Sequence, residues 1–78
     1  MANMQRTEHL TAVIEREGDG FFALCPELDI ASQGDSVEEA STNLREALGL
    51  FFEAASPEEV AERLHREVYV THLDLEVG

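Results

Sequence analysis

The chain lacks lysine and tryptophan, has one cysteine, and carries only five basic residues, all of them arginine. Without lysine it cannot form a P-loop, whose lysine holds a nucleotide phosphate. The single cysteine, Cys25, cannot form an internal disulfide bond, which is typical of a protein from a reducing compartment. No apolar run approaches the roughly 20 residues of a membrane span, and the first ten residues lack the apolar core of a signal peptide. The sequence therefore predicts a cytoplasmic protein.

Acidic residues, by contrast, are abundant. Seventeen Asp and Glu residues give the 78-residue chain a formal net charge of -12. Such a surface repels the phosphates of nucleic acids and anionic lipids, so we expect neither direct nucleic-acid binding nor membrane binding. A basic protein partner is compatible with this charge. The alternative is an acidic surface that serves solubility alone, because net charge does not specify an activity.

A chain of this length forms one domain, residues 1–78, whose small core is marginal without a disulfide or metal. We therefore expect a homo-oligomer, either a dimer or a tetramer. Some apolar residues fall outside the predicted core face and are candidates for contacts between copies. They are Leu50, Phe52, Val70 and Val77.

The first third of the chain alternates between apolar and polar residues, which is typical of β-strands. The predicted strands are 9–16, 21–25 and 28–32. Residues 1–7 are predicted to form an N-terminal tail, and the glycines of residues 17–20 predict a hairpin turn. Pro26 lacks an N–H group and is expected to end the second strand. Gly34 is expected to turn the chain, through left-handed backbone or a close approach.

A capping box predicts where a long helix begins. Ser36 is the predicted N-cap, and the carboxylate of Glu39 is expected to accept a hydrogen bond from the Ser36 N–H. Apolar residues then recur at helical spacing: Val37, Ala40, Leu44, Ala47, Leu48, Phe51 and Ala55. Ser56, Pro57 and Glu59 repeat the same start signals for a second, short helix.

Residues 68–77 alternate again and predict a final strand. The order β-β-β-α-α-β indicates a small α+β domain, with helices on one face of a mostly antiparallel sheet. The strand residues expected to face the helix are Leu10, Ala12, Ile14, Phe22 and Leu24. Ala23 and Cys25 are expected on the opposite face.

Carboxylates near strand ends and turns are the first candidates for a catalytic or metal site. They are Glu15, Asp19, Glu27, Asp29 and Asp35. A two-metal nuclease needs several converging carboxylates, and nothing in this spacing enforces convergence. We therefore predict no catalytic residue, no metal site and no cofactor.

The histidines and the cysteine give no stronger signal. His9, His65 and His72 lack the spacing of a helical metal pair. His9 and His72 would become neighbours if the first and last strands paired, but two imidazoles without a third ligand make a weak zinc site. Cys25 has acidic rather than basic neighbours in sequence, so it is predicted to be a small buried hydrophobe and not a nucleophile.

One unbroken block combines a glycine–aromatic return strand, a Pro-Glu-Leu segment, a Ser-Gln-Gly-Asp-Ser turn and an acidic helix start. Its sequence, residues 19–53, is DGFFALCPELDIASQGDSVEEASTNLREALGLFFE. This block resembles the HicB-like antitoxin family. The matching residues are Asp19, Gly20, Phe21, Pro26, Glu27, Leu28, Ser32, Gln33, Gly34, Asp35, Ser36, Glu38, Glu39, Ala40, Asn43, Leu44, Glu46 and Ala47. Those assigned to the fold itself are Gly20, Pro26, Gly34, Ser36, Glu39, Ala40, Leu44, Glu46 and Ala47.

The resemblance implies a partial RNase H-like fold without the nuclease carboxylates, and a dimer or higher oligomer. It also implies a partner, a small basic toxin of the HicA type that cleaves mRNA. Longer members of the family continue into a DNA-binding domain, so this chain resembles a short, solitary member. The expected mechanism is occlusion of the toxin's RNA-binding face. The candidate contact residues are Asp19, Glu27, Asp29 and Asp35.

Two other functions are compatible with the sequence. One is a solitary, oligomeric HicB-like interaction module that has no toxin partner. The other is a residual RNase H-like nuclease, which would lose metal-dependent RNA cleavage on substitution of Asp19 or Asp35.

Overall fold

The computed structural model describes residues 7–78 as a small α+β unit, in which two helices follow a three-stranded antiparallel sheet. Residues 1–6 of the predicted N-terminal tail lie outside the described residues. The elements are β1 (Val13–Glu17), β2 (Gly20–Cys25), β3 (Ile30–Gly34), α1 (Val37–Ala54) and α2 (Pro57–Arg63). The strand order β1-β2-β3 places β2 in the centre and leaves β1 and β3 as the two edges.

A tight turn joins β1 to β2, as the glycines predicted. Gly18 has a φ of 61°, the left-handed backbone that glycine adopts without steric cost. Glu17 then pairs with Gly20, and the antiparallel register continues to Val13 opposite Leu24. Because directly opposite residues share a face of the sheet, this register fixes which side chains meet the helix.

The predicted assignment of the sheet's two faces is wrong for β2. Ala23 and Cys25 are fully buried in the core beneath α1, and Ile14, opposite Ala23, packs against them. Phe22 and Leu24 lie on the face that α1 does not cover and are half-buried there. Small side chains in the central strand let the helix approach the sheet closely, whereas the sequence of β2, apolar on both faces, does not indicate which face is buried.

The turn between β2 and β3 contributes to the core. The carbonyl of Cys25 accepts hydrogen bonds from the N–H groups of Leu28 and Asp29, at 3.3 and 2.8 Å. Pro26 follows directly after the last residue of β2, as predicted, and Asp29 adopts left-handed backbone with a φ of 58°. This turn places Leu28 in the interior at 1% exposure, so a residue predicted to begin β3 instead lies before it and fills the core.

The capping residues of α1 act almost as predicted. The Ser36 hydroxyl accepts a hydrogen bond from the Glu39 N–H at 3.0 Å, but the Glu39 carboxylate accepts one from the N–H of Asp35 and not from that of Ser36. Of the predicted apolar face, Ala40 and Leu44 are fully buried. Leu48 and Phe51 are partly buried against the same core, whereas Val37 at its start is exposed. Phe52, which was predicted to lie outside the core face, also packs against this core.

Helix α2 begins at Pro57 after its N-cap, Ser56, whose hydroxyl accepts a hydrogen bond from the Glu59 N–H at 3.1 Å. Arg63 joins this helix to the rest of the fold. Its guanidinium donates to the carbonyl of Leu28 at 2.9 Å and lies 5.0 Å from the centre of the Phe51 ring. The helix therefore closes one end of the core through a residue that the sequence pattern did not single out.

Contrary to the prediction, residues 68–77 do not form a final strand. In the structure residues 64–78 have no regular secondary structure, so the observed order is β-β-β-α-α. The radius of gyration is 15.3 Å, against about 11–12 Å for a compact domain of this length. We call residues 68–78 the C-terminal arm. A strand forms only with a neighbour for its hydrogen bonds, and within residues 7–78 the arm meets none.

Neither helix in the described part of the chain has both the length and the hydrophobicity needed to cross a lipid bilayer.

Candidate partner-binding surfaces

The four carboxylates predicted to contact a partner lie at two opposite ends of the sheet. Asp19 is in the β1–β2 turn, and Asp35 follows β3 at the same end, since Gly34 pairs with Phe21. Glu27 and Asp29 are in the β2–β3 turn. The six residues of β2 separate the two ends, a distance of about 20 Å for extended backbone. The four carboxylates therefore do not form one site.

The end with Asp19 and Asp35 is strongly acidic. We call it the hairpin-end acidic surface and define it by five exposed carboxylates: Glu17, Asp19, Asp35, Glu38 and Glu39. Three of them, Glu17, Asp35 and Glu39, line a shallow groove of about 450 Å³ between the sheet and the start of α1. The N-terminus of α1 adds a partial positive charge that favours acidic side chains here.

Two glycines bring the elements of this acidic surface together. A methyl group on Gly34 would lie 2.5 Å from the backbone nitrogen of Ala40, and one on Gly20 would lie 2.7 Å from the carbonyl oxygen of Gly34. Both distances are shorter than a carbon atom tolerates, so only glycine fits at either position. The prediction that Gly34 marks a close approach is confirmed.

At the opposite end, Glu27 points into the protein. It is only 5% exposed, and its carboxylate accepts hydrogen bonds from the Thr11 N–H at 3.0 Å and the Thr11 hydroxyl at 2.6 Å. The Cys25 thiol donates a third at 3.4 Å. Burial by itself raises the pKa of Glu27, but the hydrogen bonds from Thr11 stabilise the carboxylate and bring the pKa below its usual value.

Glu27 therefore holds the fold together and offers little to a partner. Its carbonyl oxygen also accepts a hydrogen bond from the His65 N–H at 2.8 Å. Through Thr11 and His65, this one residue joins the segment before β1 to the segment after α2. Asp29, Asp19 and Asp35 are exposed and accessible.

Cys25 is buried, as predicted, but it lies beneath α1 and not on the opposite face of the sheet. Burial raises the pKa of its thiol, and the neighbouring Glu27 carboxylate raises it further. Since the thiolate is the nucleophilic form, this environment suppresses the reactivity of the sulfur.

Among residues 7–78, no three His, Cys, Asp or Glu side chains gather closely enough to hold a metal ion. His9 and His72 would have been neighbours only if the first and last strands paired, and the structure contains no such pairing in the described chain.

A second surface feature was missed by the sequence reasoning. A groove of about 610 Å³ lies between α1 and the segment that leads into β1. Its lining includes Leu10, Leu48 and Phe52 as apolar residues, with Arg45 as a cation. Gly49 also lines this groove, and a methyl group added to it would have no neighbour within 4 Å. Two signals in the sequence pointed here: the glycine inside a helix, and Phe52, which was predicted as a contact between copies.

Comparison with known proteins identifies relatives of this chain. A UPF0150 protein of Helicobacter pylori is 42% identical over 53 residues, which cover 67% of this chain and 74% of that protein. A UPF0150 protein of Synechocystis sp. is 46% identical over 46 residues, which cover 56% of this chain and 64% of that protein, slightly less than two thirds of its length. No protein-family model and no solved structure matches the chain.

Proposed function

The chain belongs to the UPF0150 family of small proteins, and from that premise we propose that it is a non-catalytic, cytoplasmic binding protein of the HicB-like type. Its partner is a small basic toxin of the HicA type, which it neutralises by covering the toxin's RNA-binding face. The relation to a partial RNase H-like fold is part of this proposal. It is supported by the resemblance of residues 19–53 and by the observed β-β-β-α order.

The observation that carries the proposal is the hairpin-end acidic surface. Five exposed carboxylates lie there on a rigid turn and a helix start. Arg63 and Arg66 contact the other end of the sheet, whereas Arg16 lies over the Phe21 ring at 4.6 Å, at the hairpin end itself. The five carboxylates outnumber this one arginine, so the local charge is net negative, as a surface that competes with RNA for a basic protein requires.

The mechanism follows from this charge distribution. A toxin that binds RNA presents Lys and Arg side chains at the spacing of phosphates. Exposed carboxylates on a folded domain attract these cations and accelerate association. The bound chain then covers the RNA-binding face. The chain makes and breaks no covalent bond, so it neutralises the toxin by occupying the toxin's RNA-binding face.

Co-purification tests the proposal. The genes beside the one that encodes this chain are searched for a small basic protein, which is co-expressed with the chain, and any complex is isolated at low and at high salt. We expect a stable complex that weakens as salt rises, because exposed charges are screened. The absence of any association at low salt would overturn the proposal.

A matched pair of double variants locates the contact. Asp19→Asn with Asp35→Asn removes two charges from the hairpin-end acidic surface and should weaken binding roughly three- to tenfold, as expected for exposed ion pairs. Glu53→Gln with Glu58→Gln removes the same charge from exposed positions near the α1–α2 junction. Equal weakening by both pairs would show a general effect of net charge and would remove this surface from the proposal.

A second candidate function is a solitary interaction module that has no toxin partner. The exposed C-terminal arm favours it, because four large apolar side chains in the arm are 82–85% exposed in the single chain. Exposed apolar surface of this kind marks contacts with another protein.

A further inference from the structure

The C-terminal arm has the pattern of a strand but none of the environment of one. Tyr69, Leu73, Leu75 and Val77 are 82–85% exposed, and they alternate with the polar residues His72, Asp74 and Glu76. An alternation of this kind buries one face and exposes the other once the segment is paired in a sheet. In the single chain, the arm has neither a strand to pair with nor a surface that buries its apolar face.

The point where the arm leaves the domain is fixed. The His65 N–H donates to the Glu27 carbonyl at 2.8 Å, and the Arg66 guanidinium lies 3.2 Å from the Glu8 carboxylate. Beyond these contacts the chain extends outward, and the long axis of the molecule reaches 61 Å against 28 and 19 Å for the other two. The arm is therefore directed away from its own sheet.

Of the two edges of the sheet, the β1 edge is the more open to an additional strand. On the β3 side, the Asn43 side chain donates to the carbonyl of Gln33 at 2.8 Å, and α1 packs along that strand. On the β1 side, no strand of the described residues lies next to Val13–Glu17. An open edge of this kind is a template for a strand from another chain.

The groove beside this edge fits an apolar strand face. It is lined by Leu10, Leu48 and Phe52, and it lies between α1 and the segment that enters β1. Gly49 borders the groove from the interior of α1, where glycine is less favourable than alanine. No atom lies within 4 Å of the place that a methyl group on Gly49 would occupy. The missing side chain leaves room for an incoming backbone.

We propose that two copies of this chain exchange their C-terminal arms, so that each arm adds a strand along β1 of the other copy. The apolar face of the arm, Tyr69, Leu73, Leu75 and Val77, then covers the groove beside α1. Five of the arm's residues would pair with the five residues of β1, Val13–Glu17, and the rest would lie along residues 8–12, which lead into β1.

A second copy of the chain accounts for three features together: the exposed arm, the open edge of β1 and the groove beside α1. Exchange about a two-fold axis fills both open edges and covers both arms, and it uses contacts between elements of the same chain sequence. It also enlarges a core that is small for an independent domain. The proposal does not depend on the toxin partner, because the arm and its groove lie outside the hairpin-end acidic surface except at Glu17, where β1 ends.

Sedimentation equilibrium of the full chain at micromolar concentration tests the proposal. We expect a mass of twice 8.7 kDa for the wild type. Leu73→Asp with Leu75→Asp should raise the dimer dissociation constant by more than about 100-fold, because two buried apolar side chains become charged. His72→Asn with Asp74→Asn, on the polar face of the arm, should leave the dimer intact.

A variant on the opposite side of the contact tests the groove. Gly49→Leu places a side chain where the arm should enter and should also yield monomers, while Leu50→Ala, next to it but outside the groove, should not. Hydrogen exchange then reports the arm directly: its amides should be protected in the wild type and unprotected in Leu73→Asp with Leu75→Asp.

Several results would overturn the proposal. A wild-type monomer would do so, whether its arm amides are protected by folding back on their own β1 or remain unprotected. A dimer that survives the Leu73→Asp and Leu75→Asp changes would show that the arm is not the contact. A dimer that survives Gly49→Leu would show that the two arms pair with each other and leave the groove empty.

Discussion

Strand β2 and the C-terminal arm both carry side chains that suit a sheet, but they lie in opposite environments. β2 is apolar throughout, GFFALC, whereas the arm alternates apolar with polar residues. β2 lies between two strands and beneath a helix, and its Ala23 and Cys25 are fully buried. The arm, from Val68 onward, has no neighbouring strand in the described chain. A sequence that suits a strand therefore gives a segment only the capacity to form one, and a neighbouring strand decides whether it does.

The two regions also differ in how much they contribute to the stability of the monomer. The core cluster beneath α1 joins β2, the turn after it and the helix, so a change there affects every element. The arm is attached through a hydrogen bond at His65 and an exposed ion pair at Arg66. We therefore expect identical substitutions to have large effects in the first region and small effects on the monomer in the second.

The largest expected effect comes from Leu44→Asp. Leu44 is 1% exposed, and a charge there has no partner in the core. The cost should exceed about 4 kcal/mol, which is comparable with the whole stability of a domain of this size, roughly 4–12 kcal/mol. Circular dichroism should show an unfolded chain.

Leu73→Asp is the matched control in the arm. Measured at a dilution where the chain is monomeric, it should change the free energy of unfolding by less than about 0.5 kcal/mol. A comparable loss of stability from both substitutions would remove the distinction between the two regions.

The next effect is expected from Gly34→Ala. The added methyl group would lie 2.5 Å from the backbone nitrogen of Ala40 and 2.8 Å from the carbonyl carbon of Glu39, neither of which can move without shifting α1. We expect a loss of about 2–3 kcal/mol in urea denaturation. Gly49→Ala, where no atom lies within 4 Å, should instead gain up to about 1 kcal/mol from helix propensity. Equal effects at the two glycines would contradict the packing described for α1.

Glu27→Gln should cost about 1–3 kcal/mol near neutral pH, because an amide cannot accept every hydrogen bond that Thr11 and Cys25 donate. The pKa of Glu27 is lowered in the folded chain, so the carboxylate stabilises the fold fully above its unfolded pKa of about 4.3. That contribution is lost as the pH falls through the lower, folded pKa.

Urea denaturation of the wild type and of Glu27→Gln at neutral and at acidic pH measures this effect. The difference between the two proteins should shrink on acidification. Taking the difference cancels the change in overall charge repulsion, which is common to both proteins. A constant difference across the range would mean that the hydrogen bonds to Glu27 do not depend on its ionisation.

A small effect is also expected at the junction of the two regions. Arg66→Ala removes an ion pair with Glu8 at 3.2 Å, in which the arginine side chain is 65% exposed. Such pairs contribute about 0–1 kcal/mol, so thermal denaturation should shift only slightly. A large shift would mean that the arm is anchored to the body more firmly than these contacts indicate.

Local signals in the sequence predicted much of the fold that precedes the C-terminal arm. The two serine N-caps, Pro57 at the start of α2 and the glycine turn after β1 all act within a few residues of chain, and the structure contains each of them. The orientation of β2 was not predictable in this way. Phe22 and Leu24 look like better core residues than Ala23 and Cys25, but the helix packs closely on the small ones.

The candidate partner surface was predictable only in part. The excess of carboxylates and their positions in turns were visible, so Asp19 and Asp35 could be named. That Glu27 points inward toward Thr11, and that Asp29 lies at the far end of the sheet, depends on how distant segments meet. No pattern within a few residues carries that information.

The sequence by itself determined where the helices begin, where the first hairpin turns and how negative the surface is, because caps, glycines and charges act locally or by simple summation. The tertiary structure alone decided which face of β2 is buried, which carboxylates are exposed together and that the alternating arm is left without a neighbour. These outcomes depend on contacts between residues far apart in the chain, and such contacts exist only once the sheet, the helix and the turns have packed against one another.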